Sequence, residues 1–255
     1  MEKKTAIITM ICALAFMLVP ISVNADDNIS TMSSYDTIDA TQEWTDHYYV
    51  MPSDADETTF YITTPATGYI VLDMMDAGDL GFAVQFKTDG FKDYEYLSSV
   101  DAESNVGLSK GTHAFKIKTY ADSFYVRVKF VKISESKFGS RKKKATKISK
   151  GSTKKGVIMS DNKKVHWYKI KNPKLQKVKL KLKLKANGGG KYGGVKVTAY
   201  QNGKNMGSTK VSAYYNGTDI SLYTIGKGDK LTKGTYYIKV QSYDSGNGYF
   251  SLKWK

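Results

Sequence analysis

The feature that most restricts the fold is a nine-residue stretch of strict alternation, KVKLKLKLK, at positions 177–185. Its lysines are Lys177, Lys179, Lys181, Lys183 and Lys185, and its apolar residues are Val178, Leu180, Leu182 and Leu184. Successive side chains of a β-strand point to opposite faces of the sheet. The alternation therefore predicts a strand with one face in an apolar core and the other in water.

The same period of two recurs along the second half of the chain, over residues 195–200, 236–241 and 249–254. Gly and Asn clusters such as Asn202-Gly203 mark turns between these stretches. No convincing amphipathic helix stands outside the N-terminal stretch. Short strands with frequent turns predict an all-β chain, built as antiparallel β-sandwiches.

The N-terminal stretch has the layout of a secretory signal peptide. Lys3 and Lys4 precede an apolar run over residues 6–19, and Ala25 ends a group of small residues. We expect cleavage after Ala25, hence a signal peptide over residues 1–25 and a secreted or cell-surface protein. The alternative is an uncleaved membrane anchor, but the run is shorter than the ~20 residues that a span needs.

Cysteine usage limits the chemistry further. Cys12 is the only cysteine and lies within the predicted signal peptide. A secreted form cleaved after Ala25 would therefore have neither disulfides nor a cysteine metal site. We expect its apolar cores to carry the stability.

An internal duplication organises the chain. LSKGTHAFKIKTY at residues 108–120 matches LTKGTYYIKVQSY at 231–243, and FYITTP at 60–65 matches WYKIKNP at 167–173. The blocks follow in the same order, so we predict two copies of one sandwich. Aligning Pro65 with Pro173 places apolar residues of both copies on the inner face. Tyr69, Val71 and Asp73 then match Lys177, Lys179 and Lys181 on the outer face.

Charge divides the chain at the same place. Residues 26–135 hold 8 Lys/Arg and 19 Asp/Glu, a net charge of −11, whereas residues 136–255 hold 29 and 4, a net charge of +25. We predict an acidic sandwich over 26–133, a basic linker over 134–144 and a basic sandwich over 145–255. The linker could be a solvated connector, a polyanion-binding arm or a processing site.

The second half resembles the bacterial pre-peptidase C-terminal type domain. The matching residues are Ile148, Gly156, Trp167-Tyr168, Gly234-Thr235-Tyr236-Tyr237, Gly248 and Tyr249. The resemblance is clear over about 145–255 and weak over about 36–133. It implies a jelly-roll-like sandwich, usually an accessory part of a secreted hydrolase, with relatives that bind matrix polymers or calcium. This chain has Asn162-Lys163-Lys164 where the family often has acidic residues, which argues against an inherited calcium site there.

No catalytic constellation is apparent in the sequence, so we do not expect an enzyme. His47, His113 and His166 are scattered and have no metal-ligand spacing. His113 aligns with Tyr236 and is expected to pack inward. His166 precedes Trp167 and is expected to pack beside it. No phosphate-binding Gly-rich loop and no GxSxG motif occurs.

Two weaker signals concern ligands. Asp73, Asp76 and Asp79 recur every three residues, and such oxygen ligands could hold calcium, the only cofactor that the sequence suggests. Tyr214 and Tyr215 are candidates for stacking on sugars, although tyrosines also pack in sandwich cores.

The outer lysines are the main candidate binding residues. The five lysines of 177–185, together with Lys169 and Lys171, would form a cationic sheet face. They could protect a sheet edge and aid solubility, bind an anionic polymer outside the cell, or dock on the acidic copy in the same or another molecule. Nucleic acid is an unlikely partner for a secreted chain without a known nucleic-acid fold signature.

The predicted function is therefore a secreted, non-catalytic binding or adhesion module for a wall polymer or glycan. The alternative is an accessory subunit or inhibitor of a separate secreted hydrolase.

Overall fold

A computed structural model of the chain describes residues 30–34, 36–76, 84–91, 93–97, 104–160, 164–187, 194–212 and 217–255. The predicted signal peptide over 1–25 lies outside the described residues, as do Asp79, Tyr214 and Tyr215. In the described part, the one helix is a 3₁₀ turn at Lys142–Lys144, and no helix is long and apolar enough to cross a membrane.

Ten strands precede the 3₁₀ turn in the described residues. They are β1 (Ser30–Met32), β2 (Thr37–Asp39), β3 (Thr45–Val50), β4 (Glu57–Thr64), β5 (Gly68–Asp76), β6 (Val84–Thr88), β7 (Glu95–Leu97), β8 (Ser104–Leu108), β9 (Gly111–Lys118) and β10 (Ser123–Lys132). They form two five-stranded sheets. Sheet I has the order β1-β3-β10-β5-β8, and sheet II has the order β2-β4-β9-β6-β7.

Nine strands follow the 3₁₀ turn in the part of the chain that the structure describes. They are β11 (Thr146–Lys147), β12 (Thr153–Ile158), β13 (Val165–Asn172), β14 (Val178–Asn187), β15 (Gly194–Gln201), β16 (Lys204–Ser212), β17 (Gly217–Leu222), β18 (Gly234–Tyr243) and β19 (Asn247–Trp254). Sheet III has the order β11-β13-β18-β15-β16, and sheet IV has the order β12-β19-β14-β17.

The predicted all-β class and the tandem sandwiches are confirmed. Each pair of sheets encloses its own apolar core, one built from residues before Lys132 and the other from residues after Ala145. The sheets are antiparallel except at three short pairings, β1 with β3, β2 with β4 and β11 with β13, which are parallel. These exceptions lie at or next to sheet edges.

The two sandwiches have the same strand order. Sheet II and sheet III match strand for strand, and sheet IV matches sheet I without β1. In the equivalent central strands, Ile70 and Leu72 of β5 and Val178 and Leu180 of β14 are all buried. The inward faces thus agree with the alignment of Pro65 with Pro173. The strand pairings extend this alignment and identify equivalent residues in the two copies.

The segment between the sandwiches packs against the second one. Gly139 pairs with Trp167 of β13, and the backbone N–H of Ser136 donates to the carbonyl of Lys155. Glu135 accepts hydrogen bonds from the Val157 N–H at 2.9 Å and from Lys164 Nζ at 2.5 Å. Much of the predicted linker is therefore held to the edge of the second sandwich rather than free in solvent.

His166 completes this cluster from the inside of the sandwich. Its ring is fully buried, lies 4.2 Å from the Phe138 ring centroid, and donates from Nε2 to Glu135 Oε1 at 3.1 Å. Trp167, the next residue along β13, faces outward because side chains alternate along a strand. The expectation that His166 packs beside Trp167 is therefore wrong.

The charge states of this cluster follow from its surroundings. Burial opposes ionisation of Glu135, but hydrogen bonds from His166, Lys164 and the Val157 N–H outweigh it and hold the Glu135 pKa at about 2. Burial also lowers the pKa of His166 below its usual value, and Glu135 offsets only part of that effect. The pair is thus an ionised carboxylate with a neutral imidazole.

The two sandwiches meet where β8, the edge strand of sheet I, lies against sheet IV. The Gly107 N–H donates to Asn247 Oδ1 at 3.3 Å, and the rings of Tyr69 and Tyr249 stack with centroids 6.0 Å apart. A Cβ atom at Gly107 would lie 2.4 Å from the Ile158 carbonyl oxygen and 2.6 Å from that of Gly248. Only glycine allows this approach of the two backbones.

Replacing Gly107 with valine should therefore push the sandwiches apart, because the new side chain meets backbone atoms that cannot move alone. We expect a loss of about 1–3 kcal/mol of stability and a larger radius of gyration by small-angle X-ray scattering. Lys110→Val, at an exposed position in the following turn, is the control. A scattering profile identical to that of the parent would contradict the close-contact interpretation.

Acidification should weaken the second sandwich through Glu135 and His166. The folded-state pKa of Glu135 is lowered from 4.5 to about 2, so its stabilisation is present above pH 4.5 and is lost as the pH falls towards 2. The lowered pKa of His166 acts in the same direction, because the unfolded chain takes up a proton at higher pH than the folded chain.

Glu135→Gln should therefore lower the unfolding free energy at neutral pH by about 1–3 kcal/mol, and with it the melting temperature. It should also flatten the decline of the melting temperature between pH 4.5 and 2. Glu43→Gln, at an exposed site of the first half, is the matched control. Calorimetric melting curves as a function of pH give the measurement. Parallel curves for the parent and Glu135→Gln would rule out this role.

Candidate functional site

The lysine row occupies an inner strand of sheet IV. Strand β14 pairs with β17 on one side and with β19 on the other, so it is not an edge strand. The hypothesis that these lysines guard a sheet edge is therefore wrong. Lys179, Lys181, Lys183 and Lys185 are all exposed, whereas the alternate residues Leu180 and Leu182 are fully buried.

Neighbouring strands widen the row into a cationic surface. Lys253 of β19 lies directly opposite Lys181, and Ser251 lies opposite Lys183. On the far side of β19, Lys155 of β12 is opposite Ser251. We call Lys155, Lys179, Lys181, Lys183 and Lys253 the lysine surface. Alternate residues of one strand are about 6.7 Å apart, so the three β14 lysines of this set span about 13 Å.

Few acidic groups balance this charge. Asp219 of β17 lies opposite Lys181 and forms an ion pair of 2.7 Å with Lys255. A hydrogen bond from Lys255 lowers the pKa of Asp219, and Lys181 and Lys179 add to the effect. Among the described residues, no carboxylate lies within 4 Å of Lys179, Lys181 or Lys183. The centre of the surface is therefore positive and open to an anion.

The ends of the predicted row differ from its centre. Lys177 precedes β14 and pairs with Asp229 at 2.6 Å, and its hydrogen bond lowers the pKa of Asp229. At the other end, Lys185 Nζ lies 5.5 Å from the ring centroid of Tyr69 in the first sandwich. The two halves thus meet beside the lysine row, and this contact joins a lysine to an aromatic ring rather than to a carboxylate.

Lys169 and Lys171 do not belong to this surface. They lie on β13 of sheet III, which forms the opposite layer of the second sandwich. Outward side chains of two packed sheets point away from each other, so these lysines face the other side of the molecule. The expectation that all seven lysines share one sheet face is wrong, because alternation within a strand cannot tell which sheet the strand joins.

Sheet III carries an aromatic surface that the sequence interpretation did not assemble. The ring centroids of Trp167 and Tyr200 are 5.4 Å apart, and Tyr200 lies opposite Tyr237 in the sheet. Lys142 Nζ lies 5.0 Å from the Tyr237 centroid, and Lys239 Nζ lies 5.9 Å from that of Trp167. The alternation along β13, β15 and β18 could have assigned these aromatic residues to outward positions. The order of the strands in the sheet was needed to show that they lie together.

The weaker candidates are only partly described. Asp73 lies on β5 opposite Arg127 of β10, whereas the Asp76 side chain and all of Asp79 lie outside the described residues. In the described part of the chain, no three His, Cys, Asp or Glu side chains are grouped closely enough to hold a metal ion. Tyr214 and Tyr215 likewise lie outside it, so the calcium and tyrosine predictions stay predictions.

A cleft opens between the edge strands β16 and β17, where the second sandwich is not closed. Its volume is about 680 Å³, and it is lined by apolar residues such as Ile220 and Met206 and by amide groups such as Gln201. Gln201 Nε2 donates to the hydroxyl of Tyr236 at 3.0 Å. Tyr223, which is about half exposed, also lines the cleft.

Comparison with known proteins finds similarity in structure only. No protein family matches the chain. No curated protein matches it either. The pre-peptidase C-terminal domain of a collagenase from Bacillus anthracis is similar, with a TM-score of 0.33 and 17% identity over 43% of this chain and 93% of that one. This is the family that the motifs of the second half resemble.

Two tandem structures are similar over a longer part of the chain. The CUB1-EGF-CUB2 domains of rat MASP-1 have a TM-score of 0.25 and 10% identity, over 85% of this chain and 99% of that one. The CBM22-1-CBM22-2 tandem domain of Xyn10C from Paenibacillus barcinonensis has a TM-score of 0.24 and 11% identity, over 82% and 89%.

Proposed function

We propose that this chain is a secreted, non-catalytic module that binds an anionic cell-surface or matrix polymer, such as a wall polymer or an acidic glycan. The observation that carries the proposal is the lysine surface of sheet IV. Its five cations lie on three adjacent strands, and the one acid opposite them in the described strands, Asp219, is already paired with Lys255. A polymer with regularly spaced negative charges fits such a row.

The physical cost of the surface supports a binding role. Lys181 and Lys253 are directly opposed, and like charges opposed across strands are mildly destabilising. The equivalent outer positions of β5 hold Val71, Asp73 and Met75, so the fold does not require lysines there. Multiple lysines attract a polyanion through long-range electrostatics that salt weakens.

Replacing Lys179, Lys181 and Lys183 with glutamine should weaken binding to purified wall polymer. We expect about 1 kcal/mol for each lysine, or roughly a hundredfold for the three. The melting temperature should barely change, because exposed substitutions alter stability by only about 0.5 kcal/mol. Sedimentation of the polymer with bound protein, at low and at high salt, provides the measurement.

The control removes the same charge elsewhere, by changing Lys147, Lys150 and Lys204, all exposed, to glutamine. This variant should keep most of the binding. Binding that is absent, that does not weaken with salt, or that both triple variants lose equally would disprove the lysine surface as the polymer site.

A second candidate function is sugar stacking on sheet III. The paired rings of Trp167 and Tyr200, with Tyr237 beside them, form an outward aromatic surface next to Lys142 and Lys239. Aromatic rings on a flat sheet offer apolar faces to a ligand, while lysines at their rim can bind acidic groups.

Trp167→Ala should therefore reduce glycan binding by roughly tenfold if this surface contributes, because a stacking ring is worth about 1–3 kcal/mol. Trp167→Phe keeps a ring and should retain most of the affinity. A glycan array followed by titration calorimetry checks the result. Equal binding by Trp167→Ala and the parent would exclude the aromatic surface.

A further inference from the structure

The contact between the two sandwiches has two different sides. The first sandwich contributes a docking face, made by Tyr69 and Val71 of β5 and Gly107 of β8. The second contributes a receiving face, made by the start of β19, where Gly248 lies, and the end of β12, where Val157 lies. Because the sandwiches are copies, each carries an equivalent of both faces. One docking face and one receiving face therefore remain unused.

The unused receiving face lies on sheet I. Ser123 of β10 and Tyr249 of β19 are at equivalent points of their strands. Val50 lies opposite Ser123, and Val157 lies opposite Tyr249. Strand pairing therefore places Val50 at the position of Val157. Val157 is 0% exposed, but Val50 is 49% exposed. The position that the junction buries in one copy is thus open in the other.

The unused docking face lies on sheet IV. In the aligned register, Lys177 and Lys179 occupy the positions of Tyr69 and Val71. Lys179 pairs with Ser221 as Val71 pairs with Asn105, so Ser221 of β17 is equivalent to Asn105 of β8. Two residues further along, Tyr223 is therefore equivalent to Gly107. Tyr69 and Val71 are buried in the junction, whereas Lys177, Lys179 and Tyr223 are exposed.

Exposed apolar side chains mark these same two places. In the described part of the chain, six large apolar residues are strongly exposed: Val50, Met75, Tyr120, Leu175, Tyr223 and Ile225. The first three lie on or beside the unused receiving face, since Met75 pairs with Tyr125 on sheet I and Tyr120 is in the turn before β10. The last three flank the unused docking face. Exposed apolar groups gathered in this way indicate an interaction site.

The charges at the two faces are opposite. Asp54, Asp56 and Asp122 are exposed at the receiving end, where the Met51 N–H donates to the Asp122 carbonyl. Lys174, Lys177 and Lys179 are exposed at the docking end, which also holds Asp229 paired with Lys177. The net charges of the two halves, −11 and +25, extend this complementarity beyond the contact itself.

We propose that the partner of each unused face is a second copy of this chain. The docking face of one molecule's basic sandwich binds the receiving face of the next molecule's acidic sandwich. Tyr223 stands where the contact within the chain has Gly107, so this contact joins side chains and does not bring the two backbones as close as they are at Gly107. Such a contact is heterologous, so it continues from molecule to molecule unless it closes into a ring. The protein thus assembles head to tail, and each contact covers Lys179, one of the five members of the lysine surface, while the other four stay open to a polymer.

Two variants test this by blocking one face each. Val50→Arg places a cation in the receiving face, and Tyr223→Asp places an acid in the docking face. The parent should show a sedimentation coefficient that rises with protein concentration, whereas each variant alone should stay monomeric. An equimolar mixture should form a one-to-one dimer and nothing larger, because only one intact docking face and one intact receiving face remain.

Ser208→Arg, at an exposed position of β16, is the control and should assemble like the parent. Circular dichroism checks that each variant is folded, and Met75→Arg with Ile225→Asp provides a second pair if one does not fold. A parent that stays monomeric at every concentration overturns the proposal. An equimolar mixture of the two variants that stays monomeric also overturns it. So does self-assembly of either blocked variant on its own.

Discussion

Burial of the inward faces of four sheets is the interaction on which the rest of the structure depends. Residues such as Leu72 and Leu180 are completely removed from water at equivalent places in the two sandwiches. Burial of apolar area stabilises by about 25 cal/mol per Å², so the inward positions are mostly apolar, and the inward His166 is hydrogen-bonded to Glu135. The outward positions carry no such requirement, and the two copies have diverged there.

The outward faces are accordingly where the copies differ in role. On β5, Tyr69 and Val71 are covered by the other sandwich, while on β14 the equivalent lysines face solvent. One copy therefore uses this face for a contact within the chain, and the other leaves it charged. The same face of one fold can bury an aromatic ring or present a row of cations, because the core beneath it is unchanged.

Much of this organisation was predictable from residues alone. Alternation in 177–185 correctly separated Leu180 and Leu182, which are buried, from Lys179 and Lys181, which are exposed. The shared block order predicted the duplicated strand order. The same reasoning could not place Lys169, because parity gives a side chain's face but not the sheet to which its strand belongs. It also missed Glu135, whose partners on β12 and β13 are 22 to 31 residues away in sequence.

The sequence by itself determined the all-β class, the two copies and the face of each strand that enters the core. These are local properties, since period-two alternation and turn residues act over a few neighbouring positions. The tertiary structure alone decided that β14 is an inner strand, that Gly107 lets the sandwiches touch, and that the lysines divide between opposite sheets. Those outcomes depend on pairing between distant strands and on contacts as close as the one at Gly107, and no short stretch of the chain encodes them.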